Sequence, residues 1–472
     1  MNLARSSLKL FLANVVGAGL QFLGITFFAR ELGASQMGIF FLFQALLGML
    51  AIPADFGLRG AVEKRISEGE SPGQFLSSAI VLKLVPITVI VLGILLLRPW
   101  LNSYIGANVA VLLALAIVLQ EVAQLSLVVL KGELRVGETA VLNVARQAIW
   151  VGGGALLIGY GLKAEAMIYS LLAGLGVMLV WGWYKSSVTL GRPTVTHVRS
   201  LFDYGRYNVV SSIGGYFYSW MDVAIIGLFL TQAHVGAYEV AWRVTAISIL
   251  FSNAIAMTIF PQVSEWNADG AKKSIENLIA VVMTPSLFFV IPAFFGTVVF
   301  SQEILQFVFG QEYTTAAVVL IVLMGDKVFQ AIQLVVGKSL QAINKPGLAA
   351  RATVVSVVSN AVLNVIFVLE FGILGAAFAT VASSLLNDFL HLIYLRRFIR
   401  VRFPHREISE CVLAALVMTG VLLFLEAMYE VGSLVDLAGF IFVGAIVYCI
   451  VALLLPNLRP RAFEMANRFR VA

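Results

Sequence analysis

The sequence predicts an all-α polytopic membrane protein of about 14 transmembrane helices, on three observations. Of 472 residues, 60% are hydrophobic and 12% charged, and the mean hydropathy is +0.94. An ordinary soluble domain carries roughly 25% charge. Apolar stretches of roughly 20 residues, the length that crosses a bilayer as a helix, recur from end to end. Basic residues gather in alternate connections between those stretches. An outer-membrane barrel would alternate polar and apolar residues, and these runs do not.

The first apolar stretch, 8–29, follows a short basic start from Met1 to Lys9. It is long and lacks a small-residue cleavage site, so it reads as a helix and not as a removable signal. Stretches at 37–57, 75–97, 109–130, 138–160 and 165–185 complete a first set of six. The segment Lys185–Arg206 is polar and contains Gly191-Arg192-Pro193, which marks a linker. A second set follows at 206–230, 236–262, 278–300, 314–341, 348–369 and 373–395. Two last stretches, 410–428 and 434–455, carry hardly a polar group in mid-span and read as accessory helices facing lipid. The expected organisation is therefore an N-lobe at 1–190, a cytoplasmic linker at 191–205, a C-lobe at 206–400, and an accessory pair with a basic tail at 401–472.

A repeat supports the two lobes. Leu130-Lys131-Gly132-Glu133-Leu134-Arg135-Val136-Gly137 aligns with Leu340-Gln341-Ala342-Ile343-Asn344-Lys345-Pro346-Gly347. Gly159-Tyr160-Gly161-Leu162 lines up with Glu370-Phe371-Gly372-Ile373 at nearly the same offset. Six-helix units of even span number repeat in parallel orientation, as in transporters built from two halves.

The net charge of +6 reports topology first. One side collects Arg59, Lys64, Arg65, Lys131, Arg135, Lys272, Lys273, Lys345, Arg396, Arg397, Arg400, Arg402, Arg406 and the tail arginines. The other side has only Arg30, Arg98 and Lys163. The positive-inside rule then places both termini in the cytoplasm of a multi-pass cell-membrane protein. This collar needs no nucleic-acid partner; anionic membrane lipids are its natural contacts. Cys411 and Cys449 lie in apolar spans, and no His or Cys cluster suggests a disulfide framework or a metal.

Some charges break the topology rule. Arg146, Arg243, Lys327 and Lys338 interrupt apolar stretches, where an isolated cation costs about 2.5–3.5 kcal/mol. Lys83, near a membrane edge, and Lys338 can snorkel to headgroups. Arg243 has Glu239 one turn before it, in the favourable order for a pair. Arg146 has no acidic residue within a turn or two, so it is the leading anion contact, followed by Lys327. Asp326 is expected to pair with a cation on a neighbouring helix.

Polar faces accompany these charges. Asn143, Arg146, Gln147, Trp150 and Gly154 share one helical face; Asp326, Gln330, Gln333 and Gly337 form another. Asn14 and Gln21, Gln124, Tyr218, Asn360 and Asn364 extend the polar lining to other spans. Such groups either hydrogen-bond neighbouring helices, at roughly 0.6 kcal/mol each, or face water. A central cationic cavity between the lobes accommodates them all, and its ligand is expected to be anionic. Asp222, Glu239, Asp326 and Asp388 are the acidic candidates for coupling to H+ or Na+. No ATPase element is present, so no other cofactor is expected.

Several segments resemble polysaccharide flippases. Ala29-Arg30-Glu31-Leu32-Gly33-Ala34-Ser35-Gln36-Met37-Gly38-Ile39-Phe40 resembles their helix 1–2 signature, and Ala54-Asp55-Phe56-Gly57-Leu58 their acidic-then-Gly pattern. Phe260-Pro261-Gln262-Val263-Ser264 and Phe309-Gly310-Gln311-Glu312-Tyr313 are similar to two later family segments. The resemblance covers essentially the whole chain. It is to the oligosaccharide-lipid flippases of the MOP superfamily, the Wzx type included, which also contains MATE exporters. It implies a MATE/MOP-like fold, alternating access, and a polyprenyl phosphate or diphosphate carrying a glycan. Arg146 and Lys327 would then clamp the diphosphate, and a downstream polymerase or ligase would be a partner. A MATE-like exporter of organic cations is the alternative and would want a net negative cavity. An enzyme is disfavoured, because the outer loops are short and offer no catalytic domain.

Overall fold

The computed structural model describes residues 3–460; for 3–11 and 206–219 it describes the helical backbone alone. Among the described residues every regular element is helical. The chain divides into two compact units, Met1–Gly236 and Ala237–Ala472.

The first unit contains α1 (Leu3–Asp55), α2 (Leu58–Ser67), α3 (Pro72–Leu96), α4 (Arg98–Ile105), α5 (Ala110–Gly132), α6 (Val136–Gly159), α7 (Ala164–Lys185) and α8 (Val195–Phe229). α1 carries the first two apolar stretches, broken at Gly33, whose φ of 76° a residue with a Cβ adopts only under strain. α2 is a short helix that turns Leu58, Ala61, Val62 and Ile66 inward. They join Leu76, Leu125, Val129 and Leu201 in one apolar cluster tying α2 to α3, α5 and α8. α8 begins ahead of the apolar pattern, because Thr194 caps it: its hydroxyl accepts from the His197 backbone N–H at 3.4 Å.

The second unit contains α9 (Gln232–Ser248, which starts in the first), α10 (Leu250–Ala268), α11 (Lys272–Phe288), α12 (Val290–Ile304), α13 (Ala317–Ala342), α14 (Pro346–Arg396), α15 (His405–Met428) and α16 (Leu434–Leu454). α9 and α10 meet at a 49° bend. α14 again joins two apolar stretches, at Gly372 with φ 61°. α15 and α16 pack on α12 through Cys411, Ala415, Met418, Leu437 and Tyr448.

Ten described helices are long and apolar enough to cross a membrane, eleven with the bent pair α9–α10. The larger number of stretches read from the sequence differs by joining and by one stretch. α1 and α14 each fuse two stretches across a glycine, and the seventh lies on α8, whose side chains are described from Trp220 onward.

The internal repeat has a geometric counterpart. After α5, Leu134 takes φ 61°, and the Arg135 N–H donates to Leu130 O at 2.9 Å. After α13, Asn344 takes φ 62°, and the Lys345 N–H donates to Leu340 O at 3.2 Å. Both are left-handed helix ends in which one N–H reaches back to a free carbonyl of the last turn. The aligned residues thus make the same turn in each unit.

Candidate functional site

The first unit holds its charges in two different ways. Lys83, from the middle of α3, is 3% exposed and donates at 2.6 Å to both Asp55 Oδ1 and Glu121 Oε2. Arg59 reaches the same two acids, Glu121 Oε1 at 2.6 Å and Asp55 Oδ1 at 3.4 Å. Two cations and two carboxylates from four helices thus neutralise one another. The expectation that Lys83 snorkels is corrected: two buried acids supply a stronger partner than a distant headgroup. The sequence contained a signal for this in the Asp55/Arg59 spacing of one helical turn, but the partners on α3 and α5 are distant in sequence.

Arg146 is different. Among the described residues it has no ion-pair partner, and its Nε is buried without an acceptor. α7 presses on its stem: a Cβ on Gly174 would lie 2.8 Å from Arg146 O and 3.2 Å from its Cγ. One turn on, Trp150 is stacked on Phe40 at 5.5 Å and meets Phe28 edge-on at 5.0 Å. Its indole N–H is also buried without an acceptor. Arginine and tryptophan side chains are donors only. Two unsatisfied donors on one face of α6 call for an acceptor-rich ligand. The sequence placed Trp150 on that face but did not mark it as a second donor.

The other polar positions of this unit divide. Gln147 is buried; Gln124 is half-buried; Asn14, Gln21 and Asn143 are exposed. Tyr218, with Ser211 and Gly215, lies outside the residues whose side chains are described. Asp222 is buried and engaged.

In the second unit the charges are mostly compensated within single helices. Arg243 pairs with Glu239 at 2.8 Å, as the spacing predicted. Lys327 is 4% exposed and sits 3.7 Å from Asp326 Oδ2, 3.3 Å from Gln330 Oε1 and 5.7 Å from the Trp242 ring centroid. This corrects two expectations. Asp326 pairs with its own chain neighbour and not with a neighbouring helix, and Lys327 is not an uncompensated cation. Adjacent residues on a helix point about 100° apart, but lysine's long stem bends back to reach the carboxylate. Lys338 is half-buried and has no ion-pair partner among the described residues.

Two buried acids of this unit have oxygens without a donor among the described residues. Neither carboxylate oxygen of Asp326 accepts a hydrogen bond, and Asp388 Oδ2 is buried without one. Gln333 is half-buried on the same helix as Asp326. Gly337 leaves room for Gln333 and for His391 of α14: its Cβ would lie 3.0 Å from Gln333 Nε2 and 3.5 Å from His391 Cδ2. The two halves of α14 are joined by Asn360, which donates to Ser383 Oγ at 3.0 Å. Asn364 is fully buried. The packing role of Asn360 is therefore realised, whatever else it does.

α15 and α16 wall an apolar cavity of about 500 Å³, with α9, α11 and α12 on its other sides. Phe288, Phe289, Met418, Leu434 and Ile441 line it. The pair is accessory in sequence order, yet it shapes a sizeable apolar recess.

Comparison with known proteins places these features. The family described as "Polysaccharide biosynthesis protein" matches residues 27–318, and "Lipid II flippase MurJ" matches residues 213–442. The chain is similar to the probable low-salt glycan biosynthesis flippase Agl15 of Haloferax volcanii, 61% identical over 464 residues and covering 98% of both chains. It is also similar to the probable flippase AglR of the same organism, 28% identical over 98% of both chains. The solved structure of lipid II flippase MurJ, in an inward closed conformation, shares its fold with a TM-score of 0.79 at 18% identity, covering 96% of this chain and 98% of that one. The chain belongs to the polysaccharide biosynthesis protein family, among the glycan biosynthesis flippases.

Proposed function

We propose that this protein translocates a glycan linked to a polyprenyl phosphate or diphosphate across the cytoplasmic membrane by alternating access. It is a carrier and not an enzyme. The observation that carries the reading is Arg146, a cation within a membrane span that has no ion-pair partner among the described residues and has a second unsatisfied donor, Trp150, one turn away. Such a pair suits a phosphate, whose oxygens accept several hydrogen bonds at once. Similarity over the full length to a probable glycan biosynthesis flippase supports the same substrate class.

The apolar cavity walled by α15 and α16 suits the isoprenoid tail, because nothing but hydrocarbon recognition is available along most of it. Lys338, which has no ion-pair partner among the described residues, and Lys327, held by Asp326, are the second unit's candidates for the phosphate. Coupling to H+ or Na+ is assigned to Asp326, neither of whose carboxylate oxygens accepts a hydrogen bond among the described residues. Both termini face the cytoplasm, on the side of the arginine-rich connections, where a polymerase or ligase acting later on the opposite face would not compete.

Deletion of the gene tests this reading. The expected result is a lipid-linked glycan that accumulates on the cytoplasmic face and is cleared by the wild-type gene but not by Arg146→Ala. Unchanged glycan export would overturn it. The buried carboxylate oxygens of Asp326 and Asp388 that accept no hydrogen bond among the described residues also favour, as a second reading, export of organic cations; transport of a cationic dye with no effect on the glycan would select it.

A further inference from the structure

A second recess lies in the C-terminal unit, apart from the cavity beside α15 and α16. It has a volume of about 440 Å³ and runs between α13 and the second half of α14. Phe329 and Val336 line it from α13, Leu385 and Phe389 from α14, and Phe403 closes one end. Phe389 is 60% exposed, so the recess opens to its surroundings.

The closed end is cationic. The Arg396 guanidinium lies 5.9 Å from the Phe403 ring centroid, Arg397 5.4 Å from that of Tyr394, and Lys345 Nζ 5.1 Å from that of Phe398. Arg400 and Arg402 are exposed beside them. None of these four arginines has a side-chain ion pair among the described residues; the one acid in contact, Glu276, accepts from the Arg400 backbone N–H at 3.1 Å. Gln333 and Asp388 are the polar points of the recess. Asp388 stands eight residues before Arg396, about 12 Å deeper along the helix, so it lies beside the chain of an occupant and not beside its headgroup.

An apolar slot with a cation held over one of its lining rings, Arg396 over Phe403, in a stretch rich in arginine, matches one kind of molecule: an apolar chain with an anionic head. We propose that this recess binds an anionic membrane phospholipid, with one hydrocarbon chain in the slot and the phosphate at Arg396 and Arg402. The bulk lipid is favoured because the recess lies toward the end of α14, beside the arginines that follow it, and its Phe389 is exposed. A polybasic rim draws anionic lipid at about fivefold in affinity per arginine.

Native mass spectrometry of the full-length protein in detergent tests this, with phosphatidylglycerol, phosphatidylcholine of the same chains, glycerol phosphate and a polyprenyl phosphate as probes. Phosphatidylglycerol is expected to be retained at least tenfold more strongly than phosphatidylcholine. Arg396→Gln with Arg402→Gln should lower its retention roughly 25-fold, with the thermal midpoint unchanged. Leu385→Trp, which fills the slot, should lower retention of phosphatidylglycerol while the arginines remain. Equal retention of the two phospholipids would overturn the proposal, as would full retention in the arginine pair variant. Displacement by glycerol phosphate would show a bare anion site, and preference for polyprenyl phosphate would assign the slot to substrate; either would also overturn it.

Discussion

Replacing Lys83 with methionine removes one charge from a buried quartet and leaves the other three in place. Lys83 Nζ is the shared donor to Asp55 Oδ1 and Glu121 Oε2, both at 2.6 Å. Without it, Arg59 alone faces two carboxylates. Its side chain is 27% exposed, and it already spans 2.6 Å to one acid and 3.4 Å to the other. The site goes from neutral to one net negative charge, next to a glutamate that is 0% exposed. Removing one partner of a buried ion pair costs about 3–5 kcal/mol, whereas an exposed pair contributes about 0–1 kcal/mol. Lys83→Met should therefore destabilise by about 3 kcal/mol or more in equilibrium unfolding in mixed micelles. Adding Glu121→Gln restores neutrality, since Asp55 and Arg59 remain and the amide oxygen still accepts from Arg59. The double variant should thus be more stable than Lys83→Met alone. A loss below about 1 kcal/mol, or strictly additive effects of the two substitutions, would refute a coupled buried network.

Other outcomes follow from the same geometry. Leu134 holds a left-handed backbone at 59% exposure, so Leu134→Gly should stabilise by up to about 1 kcal/mol in the same unfolding assay. Glu239→Gln should destabilise by about 3 kcal/mol by removing the acid of the buried Glu239–Arg243 pair, and Glu239→Gln with Arg243→Gln should recover most of it. Gly296 lines the cavity beside α15 and α16 and has nothing within 4 Å of its Cβ position. Gly296→Phe should therefore raise KM for a long-chain polyprenyl substrate in proteoliposomes, with little change for a short-chain analogue. Gly174→Ala should disturb Arg146 by pressing on its stem, lowering transport while leaving the amount of inserted protein unchanged.

The fold was legible because a bilayer imposes one simple rule on composition. Runs of about 20 apolar residues must be helices, and the turn after α5 repeats after α13 in residues as well as in geometry. Glu239 with Arg243 was legible for the same reason, since helical spacing alone decides that contact. What escaped was contact between helices. Lys83 meets Asp55 and Glu121 across 28 and 38 residues of chain, which no periodicity reveals. Asp326 with Lys327 escaped for the opposite reason: adjacent residues point apart on a helix, and only the flexible lysine stem closes the gap. The lining of the cavity beside α15 escaped because apolar residues facing lipid and apolar residues facing a recess look the same in sequence.

The role of Arg146 is open to direct measurement. Purified protein in proteoliposomes, loaded with a fluorescent polyprenyl-diphosphate oligosaccharide, can be followed by access of an impermeant reagent to the glycan. Wild type should expose the inner-leaflet glycan, Arg146→Lys should do so partly, and Arg146→Ala should not, with equal protein incorporated. Loss of one charge-assisted contact of about 1.5–3 kcal/mol corresponds to roughly 10- to 150-fold in rate at low substrate. Wild-type rates in Arg146→Ala would contradict the assignment of this cation to the phosphate.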